Sequence, residues 1–285
     1  LRVVSRRQNP FPSLEAKTLS CLRLDPSLPA SWRDSALLEA LGNADGVVNL
    51  AGEPIAERRW TPAHRQRLLD SRVQTTLQLA EAMANGRTSP SVLVNGSAIG
   101  YYGSSLEDRF TEASPAGKDF LGQLCTEWEA AADRMPSGCR VVKLRIGIVL
   151  GPDGGALGKM LPVFRAGLGG PIGSGRQWMS WIHRHDLCRL IAVALDDPAY
   201  VGVYNAVAPE PTRMGVFAAA LGRILHRPSL LPVPAPVLRL LLGDGAKVVL
   251  EGQQVVPERL LRQEFSFVYS ELNAALAAAT TPVPR

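Results

Sequence analysis

Four short apolar runs set the strongest constraint on how this chain can fold: Leu1 to Val4, Gly46 to Leu50, Ser91 to Val94 and Val141 to Ile148. Each is rich in valine, isoleucine or leucine, too short for a helix and bounded by turn residues, the pattern of strands buried on both faces. Between the second and third runs lies a helix. Thr61 caps it, Pro62 fills its first turn, and Leu69, Val73, Leu77, Ala80 and Ala84 recur at helical spacing until Asn85-Gly86 stops it. A second helix is read from Lys118 to Arg134. Strands alternating with such helices predict an α/β chain with a doubly wound parallel sheet. Ligands of such sheets sit at the carboxyl ends of the strands, so chemistry is expected in the loops after Val4, Leu50, Val94 and Ile148.

From Gly151 the texture changes. GPDGGALGKMLPVFRAGLGGPIGSG reads as a glycine-rich loop, a short helix from Leu157 to Leu168 and a second loop, a pattern open to a lid or a crossover. A helix from Asp186 to Asp196, a strand from Gly202 to Ala206 and a helix from Met214 to Leu225 follow, then prolines at 228, 232, 234 and 236 and further helical stretches to Ala279. The expected division is a nucleotide-binding part over 1–150 and a second part over 151–285 that completes the sheet and forms a small C-terminal cap on the substrate side.

Composition narrows the function classes. The richest apolar stretch, Val233 to Leu250, is broken by Pro234, Pro236, Arg239, Asp244 and Lys247, well short of the roughly 20 apolar residues of a membrane span. Leu1 to Ser5 is too short an apolar stretch for a signal peptide. The four cysteines, Cys21, Cys125, Cys139 and Cys188, and the four histidines show no metal-ligand spacing. A reducing, cytoplasmic location without a structural metal is expected. The net charge of +5 is spread along the chain; the groups Arg6-Arg7 and Arg58-Arg59 with Arg65 and Arg67 are too short to make a nucleic-acid face. The expected partner is a small molecule of unknown identity, with no nucleic acid and no membrane; a protein partner stays open.

Several runs carry a resemblance: VVNLAGEPI (47–55), RRW (58–60), SRVQTT (71–76), NGSAIGYYG (95–103), FLGQLCTEWEAAA (120–132), LRIGIVLGPDGGALGKML (144–161), GLGGPIGSGRQWMSWIHRHDL (167–187), YNAVAPEP (204–211) and LEGQQVVPERLL (250–261). In this order and spacing they resemble the extended short-chain dehydrogenase/reductase superfamily and, within it, its atypical epimerase-like subfamily. The resemblance implies a Rossmann-like fold and epimerase-like oxidoreductase or isomerase architecture. Two departures qualify it. The family opens with a strand, a GGxGxxG loop and a helix that hold the dinucleotide pyrophosphate, whereas LRVVSRRQNP resembles the family's second strand; about thirty residues, with the central strand and phosphate loop, are expected to be missing ahead of Leu1. The family's YxxxK pair falls on Leu121 and Cys125, which cannot replace its acid/base tyrosine and its lysine. Atypical members share this loss, and an alternative reading is a non-catalytic, nucleotide-binding regulatory or protein-interaction module.

The resemblance also distributes roles. Ser5 and Arg6 stand where the adenosine ribose is met, and an arginine beside a hydroxyl favours a 2′-phosphate, hence NADP over NAD. Leu50, Ala51 and Gly52 would let backbone approach the dinucleotide, Glu53 would accept from a ribose hydroxyl, and Asn49 would alternatively tie this loop to its neighbour. Arg72 resembles a position facing the cofactor, with an exposed helical arginine as the other reading, and Arg145 a position beside the nicotinamide. Ser97 matches the superfamily's catalytic serine, with Tyr101 or Tyr102 as the replacement acid/base or as packing residues. Arg176, Gln177 and Trp178 are expected on the substrate side. In WIHRHD, His183 is expected to anchor a loop and Asp186 to cap the following helix.

Overall fold

The structure, a computed structural model, describes residues 1–7, 19–86 and 90–281; Gln8 to Pro10 of the opening run lie outside the described residues. In chain order the elements of the first half are β1 (Arg2–Ser5), β2 (Ser20–Arg23), α1 (Ser35–Gly42), β3 (Gly46–Asn49), α2 (Pro62–Leu69), α3 (Thr75–Asn85), β4 (Val92–Ala98), β5 (Arg109–Phe110), α4 (Phe120–Ala132) and β6 (Arg140–Ile146). Then come β7 (Ile148–Leu150), α5 (Gly155–Arg165), β8 (Trp178–Met179), β9 (Trp181–His183), α6 (Arg184–Asp196), β10 (Gly202–Ala206), β11 (Thr212–Arg213), α7 (Met214–Ile224), α8 (Ala235–Leu242), α9 (Lys247–Leu250), β12 (Gln254–Val255), α10 (Glu258–Arg262) and α11 (Leu272–Thr280).

The centre is a four-stranded parallel sheet in the order β10-β6-β4-β3. Both faces are covered, which is why its strands read as continuous apolar runs. Val94, Val142 and Leu144 pack on one face with Leu187 and Leu190 of α6. Leu93, Val47 and Val141 pack on the other with Leu79 and Met83 of α3 and Ala132 of α4. A separate core joins α5, α7 and α11 around Trp181 and Met179. β1 and β2 form their own two-stranded parallel sheet, not hydrogen-bonded to β3. β1–β2 and the four-stranded sheet are therefore separate among the described strands, and β3 keeps an open outer edge beside Val48, which is 38% exposed.

Two expected elements divide, each at a point that serves the site. The helix read from Thr61 to Ala84 begins as expected, with Thr61 Oγ1 accepting from His64 N and Pro62 in the first turn. It is interrupted at Asp70–Gln74 by a π-helical turn. Here Ser71 Oγ donates to the Leu68 carbonyl and Thr76 Oγ1 to that of Arg72, side-chain bonds that compete with the regular ladder. The strand read from Val141 to Ile148 breaks at Gly147, where a Cβ would lie 2.5 Å from the Ser180 carbonyl oxygen. β6 stays in the main sheet while β7 pairs with β9. β2 and α1 were not legible in the hydrophobic pattern; α1 starts at Asp34, whose Oδ1 accepts from Ala36 N and Leu37 N.

Candidate functional site

The loop after β3 is held open by its neighbours. Asn49 is buried; its Nδ2 donates to Asn95 Oδ1 at 2.7 Å and Thr76 Oγ1 at 3.0 Å, and its Oδ1 accepts from Ala51 N at 3.2 Å. It therefore ties loop, sheet and α3 together. The π-helical turn brings two residues onto the same loop: Ser71 Oγ accepts from Glu53 N at 2.9 Å, and Arg72 Nη2 donates to the Glu53 carbonyl at 3.0 Å. Arg72 is a clamp on this loop, partly buried and stacked over Trp128 at 5.3 Å, not an exposed helical arginine. Gly52 leaves room for that clamp, since a Cβ would lie 2.9 Å from the Arg72 guanidinium carbon. Leu50 and Gly52 are exposed, and Ala51 and Glu53 partly so. Across the loop, Arg6 Nη1 lies 3.6 Å from Glu53 Oε2, while Ser5 Oγ accepts from Arg7 N at 3.1 Å.

Behind the next strand end lies a buried network. Ser97 Oγ donates to Glu129 Oε1 at 2.7 Å, and Arg145 grips the same carboxylate through Nε at 2.8 Å and Nη2 at 2.9 Å. Arg145 Nη1 donates to the Tyr102 hydroxyl at 2.9 Å, which in turn donates to Asn205 Oδ1 at 2.7 Å. Asn205 Nδ2 continues to the Val256 carbonyl at 2.9 Å, and its backbone N–H donates to Glu112 Oε1 at 3.0 Å. Burial pushes the Tyr102 phenol up to about 12, although Arg145 and Asn205 pull the other way. Tyr102 thus remains a neutral phenol with both hydrogen-bonding functions engaged. Burial alone would lower the Arg145 guanidinium, but the Glu129 carboxylate outweighs it and raises it. The single proton of Ser97 is committed to Glu129, so toward a ligand this hydroxyl can only accept. The sequence reading missed Glu129 and Asn205. Glu129 had a legible signal: it continues the i, i+4 face of Leu121 and Cys125 as a carboxylate inside α4 on an otherwise apolar stripe.

Tyr101 differs from its neighbour. Its ring lies 3.3 Å from the Arg145 guanidinium and edge-on to Tyr102, and it is partly exposed. Leu121 and Cys125 pack with it in an apolar cluster containing Trp60, Ala98, Phe120 and Val248. The Cys125 thiol is pushed up to about 12 by burial and by the nearby Glu129 carboxylate. It is a packing group, not a stand-in for a lysine.

Around β8 the three residues expected to face substrate part company. Arg176 is exposed. Gln177 turns inward, 3% exposed, and its Nε2 donates to the carbonyls of Ile172 at 2.9 Å and Val249 at 3.0 Å, so it braces two segments and does not line an open wall. The Trp178 indole donates to the Leu106 carbonyl and carries Arg213 on its face at 3.7 Å. The roles expected in WIHRHD are corrected. His183 caps α6, its Nδ1 accepting from His185 N, while fully buried Asp186 accepts from Val268 N and Tyr269 N and pins the C-terminal segment.

Among the described residues no group of three or more His, Cys, Asp or Glu side chains could hold a metal ion, and no helix is long and apolar enough to cross a membrane. Residues 1–207 match the NAD dependent epimerase/dehydratase family, and residues 233–279 match a domain of unknown function. The Arabidopsis thaliana "Epimerase family protein SDR39U1 homolog, chloroplastic" is 48% identical over 234 residues, 81% of this chain and 67% of that protein. The Bos taurus epimerase family protein SDR39U1 is 44% identical over 251 residues, 86% of this chain and 85% of the relative. The crystal structure of the human epimerase family protein SDR39U1 (isoform 2) with NADPH superposes with a TM-score of 0.84 at 38% identity, covering 97% of this chain and 89% of that one. With its Rossmann-like parallel sheet, the chain belongs to the NAD dependent epimerase/dehydratase family, in the epimerase-like branch of the extended short-chain dehydrogenases/reductases.

Proposed function

We propose that this protein binds NADP(H) along the carboxyl ends of β1, β3, β4 and β6 and acts on a small molecule there as an atypical, epimerase-like oxidoreductase. The observation that carries the reading is the Arg6 guanidinium, poised across the exposed Leu50–Glu53 loop. Its side chain is 62% exposed and its ion pair with Glu53 is long at 3.6 Å, so the pairing is weak and leaves the cation free for a phosphate. Ser5 accepts from Arg7 N and keeps its own proton to donate. These residues fit the adenosine ribose and a 2′-phosphate, and the human relative was crystallised with NADPH.

When bound, the dinucleotide supplies hydride transfer. The side chains divide the remaining work. Arg72 and Ser71 hold the loop against which the ribose would lie. Ser97 is restricted to accepting from a substrate hydroxyl. Tyr102, Arg145 and Glu129 fix the platform under Tyr101. Leu121 and Cys125 move no proton at neutral pH, which leaves Tyr101 as the phenol able to exchange one with bound substrate. A reducing, cytoplasmic compartment belongs to the same proposal, supported by four cysteines that are all free thiols.

Isothermal titration tests the reading. NADPH is expected to bind more tightly than NADH, and Arg6→Ala to remove most of the difference, about 1 to 3 kcal/mol for a lost charge-assisted contact. Equal affinities in the unaltered protein would refute the role of Arg6.

A further inference from the structure

We infer that the molecule received beside Tyr101 is an uncharged, largely apolar small molecule and not a sugar nucleotide. The inference rests on the dinucleotide lying along the strand ends, and names what the rest of that site takes.

Three observations converge on it. First, the wall facing the turn after β4 is apolar: Ile55, Ala98, Tyr101, Phe120, Leu121 and Val248 pack around Trp60 and are all partly exposed. The Tyr101 hydroxyl is the one polar side-chain group among these six. Sugar hydroxyls and phosphates placed against them would lose water without gaining partners. Second, four guanidiniums are already engaged within the protein. Arg65, over the Trp60 and Phe120 rings at 5.8 and 5.2 Å, pairs with Asp244. Arg145 is bound to Glu129 and Tyr102. Arg213 donates to the carbonyls of Arg176 at 2.6 Å and Leu106 at 3.1 Å, with its face on Trp178. Arg259 donates to the Val203 carbonyl at 2.6 Å and the Tyr204 hydroxyl at 3.1 Å. Third, the cap closes on the wall through an apolar helix. Trp60 N donates to the Leu242 carbonyl, Val248 enters the cluster, and α8, leading into this contact, buries no residue and exposes Val237, Leu240 and Leu241. Apolar surface left in water beside this wall suits an apolar ligand.

The test uses the full chain, N-phenyl-1-naphthylamine as an uncharged fluorescent probe and UDP-glucose as the competing class. NADPH binding is measured separately through its own fluorescence. The probe is expected to bind, at least tenfold more weakly in Leu121→Asn and Val248→Asp and unchanged in Leu231→Asp, whose side chain lies on an exposed loop. UDP-glucose should not displace it. A thermal melt of each variant shows which are folded, and either wall variant suffices if the other unfolds. Displacement by UDP-glucose, above all if Arg176→Ala prevents it, would overturn the inference, as would undiminished probe binding in a folded wall variant. Probe binding that follows the wall variants in a protein without NADPH affinity would uphold the apolar wall and discard the dinucleotide reading instead.

Discussion

Glu129→Gln is the substitution that asks most of the buried network. The side chain keeps its shape and one acceptor oxygen, but Arg145, 3% exposed, is left as a buried cation without a counter-ion, one of its two carboxylate contacts replaced by an amide NH2 and only the Tyr102 hydroxyl and, at 3.5 Å, the Glu112 carbonyl as further acceptors. Removing one partner of a buried ion pair costs about 3–5 kcal/mol, because the remaining charge stays desolvated. Exchange of the charged acceptor of Ser97 for a neutral amide oxygen adds about 1 kcal/mol. Against the roughly 5–15 kcal/mol that hold a typical domain folded, this is a large fraction. Arg145→Met in the same chain removes the stranded charge, so the double variant should lose clearly less than the sum of the two single losses, with a coupling of about 2 kcal/mol or more. Urea unfolding of the four proteins at pH 7 measures each term. If the two effects add to within about 0.5 kcal/mol, or Glu129→Gln alone costs under about 1 kcal/mol, the pair is not the keystone its geometry implies.

Other outcomes follow from the same site. Cys125, ordinarily titrating at 9.0 and pushed up to about 12 in the fold, holds its proton more tightly when folded; its contribution is complete below pH 9 and is lost at about 1.4 kcal/mol per pH unit as the pH climbs toward 12. Denaturant midpoints should therefore fall more steeply above pH 9 in the parent than in Cys125→Ala, and parallel curves would show that the thiol is not desolvated. Gly52→Val would place a Cβ 2.9 Å from the Arg72 guanidinium carbon and displace the clamp from Glu53. NADPH affinity should drop about tenfold while stability changes by no more than about 1 kcal/mol; calorimetry beside a thermal melt separates the two, and unchanged affinity would remove the loop from the site.

Elements written in consecutive residues are legible in the sequence itself. Thr61 and Pro62 start α2, Gly202 to Ala206 is a strand to the residue, and the motif after β3 places a loop where backbone is exposed. Caps, turn residues and apolar periodicity act within a few positions, so the chain states them directly. What only tertiary structure decided was the direction of side chains and the choice of partner across long separations. Ser97 meets Glu129 32 residues away and Tyr102 meets Asn205 103 residues away; Gln177 folds inward to Val249, and a π-helical turn re-aims Ser71 and Arg72 onto Glu53. A buried polar group must be paired, yet its own neighbours in sequence do not say with what. The pairing is settled by which strand ends the sheet brings together, and that depends on the whole parallel order at once.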